Sequence, residues 1–234
     1  MRPEFETIFT EVAPKKKGYL VIRACPPGDL DGLVRRETER LFEAGAEHVY
    51  LASTDPGAPL EDGMELGNVG LRFCHDMLGM TRDLGPDRPR PEGRLTLEPL
   101  TRETGAAWLG LLNRGFFYVP NSATNDEDDL KDFLEGPYRC GFALLAGETV
   151  GVYECGFKKE HPEIGSIALT EESRGRGLGR ELLLSVMDLL AGLGHPACWL
   201  QVSTANATAH ALYRSVGFRQ TELLSRWYEA AYHD

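Results

Sequence analysis

Apolar residues at Leu178, Leu182, Leu183, Val186, Leu189, Leu190 and Leu193 recur at helical spacing, and Ile164, Ile167 and Leu169 mark a strand just before them. Together they predict a buried strand, a tight Arg174-Gly175-Arg176-Gly177-Leu178-Gly179 loop and a long amphipathic helix. Residues 199–203 supply the next strand, and a short helix opening at Asn206 carries Ala209, Tyr213 and Val216 on one face before Gly217 ends it. Upstream, residues 141–146 and 149–157 are apolar, β-branched and aromatic around Gly147-Glu148, which predicts a hairpin. An alternating strand at 94–100 precedes a helix at 104–114 with Ala107, Leu111 and Trp108 inward. Asn125-Asp126-Glu127-Asp128-Asp129 caps and charges a further helix.

The first third repeats this pattern faintly. Residues 5–12 and 19–24 read as strands joined by Ala-Pro-Lys-Lys-Lys-Gly, residues 30–44 as a helix with Leu33, Val34, Leu41 and Phe42 inward, and 48–54 as a strand. That strand ends in Ser53-Thr54 as the later one ends in Ser203-Thr204, and Val69-Gly70-Leu71-Arg72 echoes Val216-Gly217-Phe218-Arg219. Duplication of a strand-helix-strand unit is one account of the echo, and chance likeness between two such units is the other. Where the later unit has its glycine-rich loop, the earlier has Cys25-Pro26-Pro27-Gly28-Asp29, whose prolines lack the N–H donors an anion needs. This half also lacks a tyrosine to match Tyr213, so its role is structural or pocket-shaping. Three prolines in the charged run 84–93 mark a linker, which places a degenerate half-domain at 1–85, a linker at 86–93 and the catalytic domain at 94–234.

The loop carries the candidate chemistry. Glycines allow tight bending, the first N–H groups of the helix have no internal partner, and Arg174, Arg176 and Arg180 surround them, which makes a pyrophosphate cradle. No Gly-Lys-Ser/Thr follows, as a Walker A loop requires, and Arg174 stands where a Rossmann fingerprint has its first glycine. Arg-x-x-Gly-x-Gly after a strand, followed by Asn206-Ala207-Thr208-Ala209-His210-Ala211-Leu212-Tyr213 and Gly217-Phe218, resembles the GNAT acetyltransferase superfamily.

The resemblance implies an α/β (α+β) fold, with a mixed, mostly antiparallel sheet flanked by helices and a smaller related β-α-β unit ahead of it. It implies acetyl-CoA as cosubstrate and acetyl transfer to a primary amine of a small molecule or peptide within a ternary complex, without a metal. Pyrophosphate would lie on Arg174, Gly175, Arg176, Gly177, Leu178, Gly179 and Arg180, and pantetheine on the backbone of Ile167, Ala168 and Leu169, with Asn206 also in contact. A strand N–H near Ile167 or Leu169 would serve the oxyanion. Tyr213 corresponds to the acid that protonates the leaving thiolate. Glu163 matches a position where some members carry the general base, and is otherwise a solvated strand-edge residue. The same motifs fit a binding module that holds acyl-CoA without turnover.

Composition narrows the partners. Among 234 residues, 25 Lys and Arg against 36 Asp and Glu give a net charge of −11, which disfavours nucleic acid and anionic membranes and favours a cationic acceptor. No apolar run is long enough to span a bilayer and no signal-peptide core opens the chain, so a cytoplasmic protein is expected. Five cysteines without CxxC spacing read as reduced thiols. The aromatic run 116–118 either lines an acceptor pocket or covers a core edge, and His161 is a turn histidine or a catalytic one. A homodimer is left open.

Overall fold

The computed structural model describes residues 2–26 and 28–232; Pro27, half of the proline pair singled out above, lies outside them. The chain forms two compact units. The first comprises the residues up to Leu78, Ser203–Ala205 and those from Leu223 onward, and the second comprises Gly79–Val202 with Asn206–Glu222.

In the first unit, β1 (Glu4–Ile8) pairs antiparallel with β2 (Lys17–Ala24). The strand expected over 5–12 stops at Ile8, because Pro14 has no N–H for a ladder and the chain instead turns through α1 (Val12–Lys15). Helix α2 (Leu30–Glu43) then crosses to β3 (His48–Ser53), which runs parallel to β2. Leu33, Val34 and Leu41 of α2 bury against Leu20, Ile22, Val49 and Leu51. Gly18 is required where β2 passes under that helix, since a Cβ there would sit 2.7 Å from Leu41. The short β4 (Glu65–Leu66) pairs with the first residues of β5 (Val69–Asp83), which is one 15-residue strand where only a brief echo was expected.

The second unit begins within β5 and continues through β6 (Leu95–Pro99), α3 (Gly105–Phe116), α4 (Glu127–Glu135), β7 (Tyr138–Leu145), β8 (Glu148–Gly156) and β9 (Glu163–Leu169). Then come α5 (Leu178–Gly192), β10 (Ala197–Ser203), α6 (Ala207–Ser215) and β11 (Arg219–Tyr232), whose later residues return to the first unit. Strands β6 to β9 form an antiparallel meander, and β9 pairs parallel with β10 across the α5 connection. The result is the mixed, mostly antiparallel sheet flanked by helices that was expected.

Two local readings change and a third is made specific. Helix α3 turns Trp108 and Leu112 into the core and leaves Ala107 exposed, because the stripe runs Gly105, Trp108, Leu112. Full burial of Trp108 is tolerated because its indole N–H donates to the Gly141 carbonyl at 3.0 Å. The hairpin turns on Ala146-Gly147, both at positive φ (52° and 88°), which is the two-residue geometry that suits strand twist. On α4, the cap expected from residues 125–129 is a reciprocal capping box of Asp126 and Asp129.

The proline-rich segment is no free tether. Buried Glu181 of α5 accepts the backbone N–H groups of Glu92 and Arg94 at 2.9 and 3.0 Å. Asp188 of α5 takes Arg88 and Arg90 at 2.6 and 2.7 Å. The prolines straighten a strap that α5 holds through two backbone N–H groups and two arginines, and the compact units divide inside β5 instead.

Candidate active site

Both signatures fall in the second unit. Gly175 and Gly177 adopt φ of 73° and 77°, a left-handed backbone that side-chain-bearing residues resist, so the glycines let the loop bend here. Gly177 is the N-cap of α5 and offers no side chain to the first turn. Arg174, Arg176 and Arg180 are exposed, and among the described residues none has an ion-pair partner. A Cβ at Gly175 would meet nothing within 4 Å. An uncapped helix start ringed by unpaired guanidinium groups fits a diphosphate.

Strands β9 and β10 then diverge. Their parallel register consists of Trp199 opposite Glu163, reinforced by the Trp199 N–H donating to the Pro162 carbonyl at 2.9 Å. Towards Leu169 the other edge of β9 is held by β8, whose register continues to Gly151 opposite Leu169. The Thr170 N–H donates to the Val150 carbonyl at 2.9 Å, so by strand alternation Ala168 faces β8 while Ile167 and Leu169 present their backbone groups on the other side, as an extended amide-bearing ligand requires. Leu212 of α6 and Leu169 of β9 both lie beside Gly179, within 3.9 Å of where its Cβ would be, so helix, strand and loop meet there.

Asn206 caps α6, its side-chain oxygen accepting the Ala209 N–H at 3.2 Å. The helix ends in a Schellman pair, Phe218 N–H to Tyr213 carbonyl and Gly217 N–H to Arg214 carbonyl, each 3.0 Å, around Gly217 at φ 91°. Tyr213 packs against Phe218 with ring centroids 5.9 Å apart, and burial pushes its hydroxyl up to about 12. The phenol therefore holds its proton at neutral pH.

A cavity of about 260 Å³ opens beside the start of β9, lined by Phe133, Tyr138, Glu154, Gly156, Lys158, Lys159, Glu163 and Gly165. Glu163 lines it, with its carboxylate engaged: Gln201 donates to it at 2.9 Å and Lys159 lies at 3.6 Å. The neighbouring Glu154, on β8, was missed by the sequence reading. It is 7% exposed, and burial, then the Glu163 charge, push its carboxyl up to about 7 against a bond from Ser166 and the Lys158 charge. Its carboxylate occupies the space over Gly165, where any Cβ would collide with it. The available signal was a lone acid inside the apolar run Val150-Gly151-Val152-Tyr153-Glu154-Cys155. Tyr213 does not line this cavity.

Other candidates stand apart. His161 is half-buried, with its Nδ1 buried and unpartnered, and does not line the cavity. Cys140, Cys155 and Cys198 are buried free thiols, all pushed up by desolvation, Cys198 to about 12. In the aromatic run, Phe116 packs on the core while Phe117 and Tyr118 are exposed, Tyr118 at 86%. No helix among the described residues is long and apolar enough to cross a membrane.

This arrangement is the mixed α/β fold of an N-acetyltransferase: a GCN5-related N-acetyltransferase from Sphaerobacter thermophilus superposes with a TM-score of 0.58 over 97% of this chain and 75% of that one, at 16% identity. The family model for the acetyltransferase (GNAT) family matches residues 106–218, the segment that carries the loop, both carboxylates and Tyr213. Residues 106–218 thus form a domain of the GNAT family. A mycothiol acetyltransferase from Streptomyces bingchenggensis is 32% identical over 176 residues, covering 68% of this chain and 56% of that protein. Another, from Pseudarthrobacter chlorophenolicus, is 28% identical over 226 residues, covering 90% of this chain and 69% of that one. The chain thus spans little more than half the length of the first of these relatives.

Proposed function

We propose that this protein is an acetyl-CoA-dependent N-acetyltransferase that passes the acetyl group directly to a primary amine in a ternary complex. Relatives named mycothiol acetyltransferase support acetyl transfer as the reaction. The observation that carries the proposal is Glu154, a buried carboxyl held near pH 7 in a cavity at the point where β9 and β10 separate.

Arg174, Arg176, Arg180 and the amides from Gly175 to Gly179 hold the diphosphate, and the backbone of Ile167 and Leu169 with Asn206 holds the pantetheine, Ala168 turning its own groups to β8. Acetyl-CoA supplies the thioester carbonyl carbon. Glu154 takes a proton from the acceptor ammonium, which begins charged at neutral pH. The free amine attacks the carbonyl carbon, a β9 N–H steadies the oxygen, and the carbon–sulfur bond breaks. Tyr213 donates its proton to the departing thiolate, and the second proton shed by the newly acylated nitrogen restores the Tyr213 hydroxyl through solvent, while the first leaves Glu154 for bulk water. Glu163 acts through Glu154, its charge helping to keep that carboxyl basic. The smaller unit, with the parallel β2-α2-β3 crossover that mirrors β9-α5-β10, is a degenerate relative of the catalytic one. There β2 and β3 stay paired through Ile22 opposite Ser53, and Asp55 accepts the Cys25 N–H at 2.7 Å, so neither a splayed edge nor a free loop amide is offered at that place.

The test is thiol release from acetyl-CoA with a panel of amines, with mass spectrometry of the product. An acetylated amine supports the proposal. Tight coenzyme binding with no turnover on any amine identifies a carrier-binding module instead.

A further inference from the structure

The cavity beside Glu154 also carries information about the acceptor, and the inference rests on the function proposed above. Its lining holds two carboxylates and two ammonium groups. One of each cancels: Lys159 lies 3.6 Å from Glu163 and its Nζ sits 3.4 Å from the centroid of the Trp199 ring. What remains is Glu154 as proton acceptor and Lys158 as cation. Lys158 is steadied over the Tyr138 ring at 4.9 Å, and among the described residues it has no carboxylate within ion-pair distance. Phe133 and Tyr138, packed edge to face at 5.1 Å, make the apolar wall between the polar groups.

A cavity of about 260 Å³ is smaller than the range for drug-sized ligands, which begins at about 300 Å³. We infer that the acceptor is an α-amino acid with an apolar side chain, its amine directed to Glu154, its carboxylate paired with Lys158 and its side chain laid against Phe133 and Tyr138. The net charge of −11 favours cations in bulk, yet a polyamine entering this cavity would meet Lys158 unpaired. Local pairing outweighs the distant field because screening acts within about 10 Å in ordinary salt.

The experiment compares matched acceptors in the thiol-release assay: phenylalanine, its amide and phenethylamine, then leucine, its amide and isopentylamine, with spermidine as the cationic control. The expected result is a kcat/KM for each acid at least about tenfold above its amide. Such a preference cannot come from the nucleophile, since the amide's amine is the easier to deprotonate. In Lys158→Met the acid-to-amide ratio should collapse towards one, chiefly through KM, while Lys158→Arg should keep it. Equal use of acids and amides, preference for spermidine, or a ratio that survives Lys158→Met would overturn the amino-acid assignment and leave the acetyltransferase reading standing. Silence towards every amine would overturn both.

Discussion

At Glu154 one side chain serves two opposed requirements. A carboxyl that is 7% exposed and displaced to about 7 is a costly thing to keep in a sheet, and a base matched to neutral pH is what an ammonium acceptor needs. Because the folded value lies above the usual 4.5, the native state binds more protons than the unfolded chain between about pH 4.5 and 7. Stability from this group is therefore present below that window and lost as pH rises through it, by up to about 3 kcal/mol. Glu154→Gln should be more stable than the parent at pH 8 and indistinguishable near pH 4.5, measured by denaturant midpoints. The same variant should lose about 10²-fold to 10³-fold in kcat/KM and the rising limb of the pH profile near 7; an unchanged profile would move the base elsewhere. Tyr213→Phe should lower kcat with coenzyme affinity kept, since the hydroxyl is assigned to thiol release alone. Tyr213 and Asn206 were legible because a contiguous motif carries them. Glu154 was not, because its burial comes from lying across from Ser166 with its carboxylate over Gly165, a cross-strand relation that no local spacing encodes.

Among the elements, α5 is used at both ends of its first turn. Its N-terminus is left open by Gly177, while Glu181, one turn on, accepts two N–H groups from the strap at 92–94. Removing that buried acceptor breaks two part-buried charge-assisted hydrogen bonds, so Glu181→Ala should cost about 1–3 kcal/mol and expose residues 84–94 to proteolysis. If the strap were a loose linker, the variant would be close to neutral. The cradle should respond differently: Arg176→Ala and Arg180→Ala should each weaken coenzyme binding severalfold and flatten its salt dependence, with no change in melting temperature. Strand, loop and helix from β9 to α5 could be read from apolar spacing because the period switches within a few residues. The strap could not, since three prolines signal extension equally well whether the chain is solvated or pinned.

For the whole molecule the decisive fact is that chain order and compact units disagree. Proline content put a boundary at 86–93, but Gly79–Asp83 of β5 belong with the second unit, where the Thr221 hydroxyl donates to the Gly79 carbonyl at 3.3 Å and Arg82 donates to the Val216 carbonyl at 3.2 Å. The last residues of β11 belong with the first, pairing Tyr228, Glu229 and Ala230 with Leu51, Tyr50 and Val49. Such exchange is invisible to composition, which reports on segments and not on their partners. A fragment starting at Arg94 would carry β11 residues without β3 and leave β10 without the β5 strand beside it, exposing unpaired strand edges of the kind that drive aggregation. That fragment should therefore be recovered as insoluble or oligomeric material by size-exclusion chromatography, although it contains every residue assigned to chemistry. The full chain should unfold without a stable, coenzyme-binding remnant, because melting the first unit frees Val69–Leu78 of β5 and Leu223–Tyr232 of β11, the larger parts of two strands that continue into the second. A monomeric, coenzyme-competent 94–234 fragment would show that the second unit tolerates the loss of β5 and would restore the proline-rich segment as the working boundary.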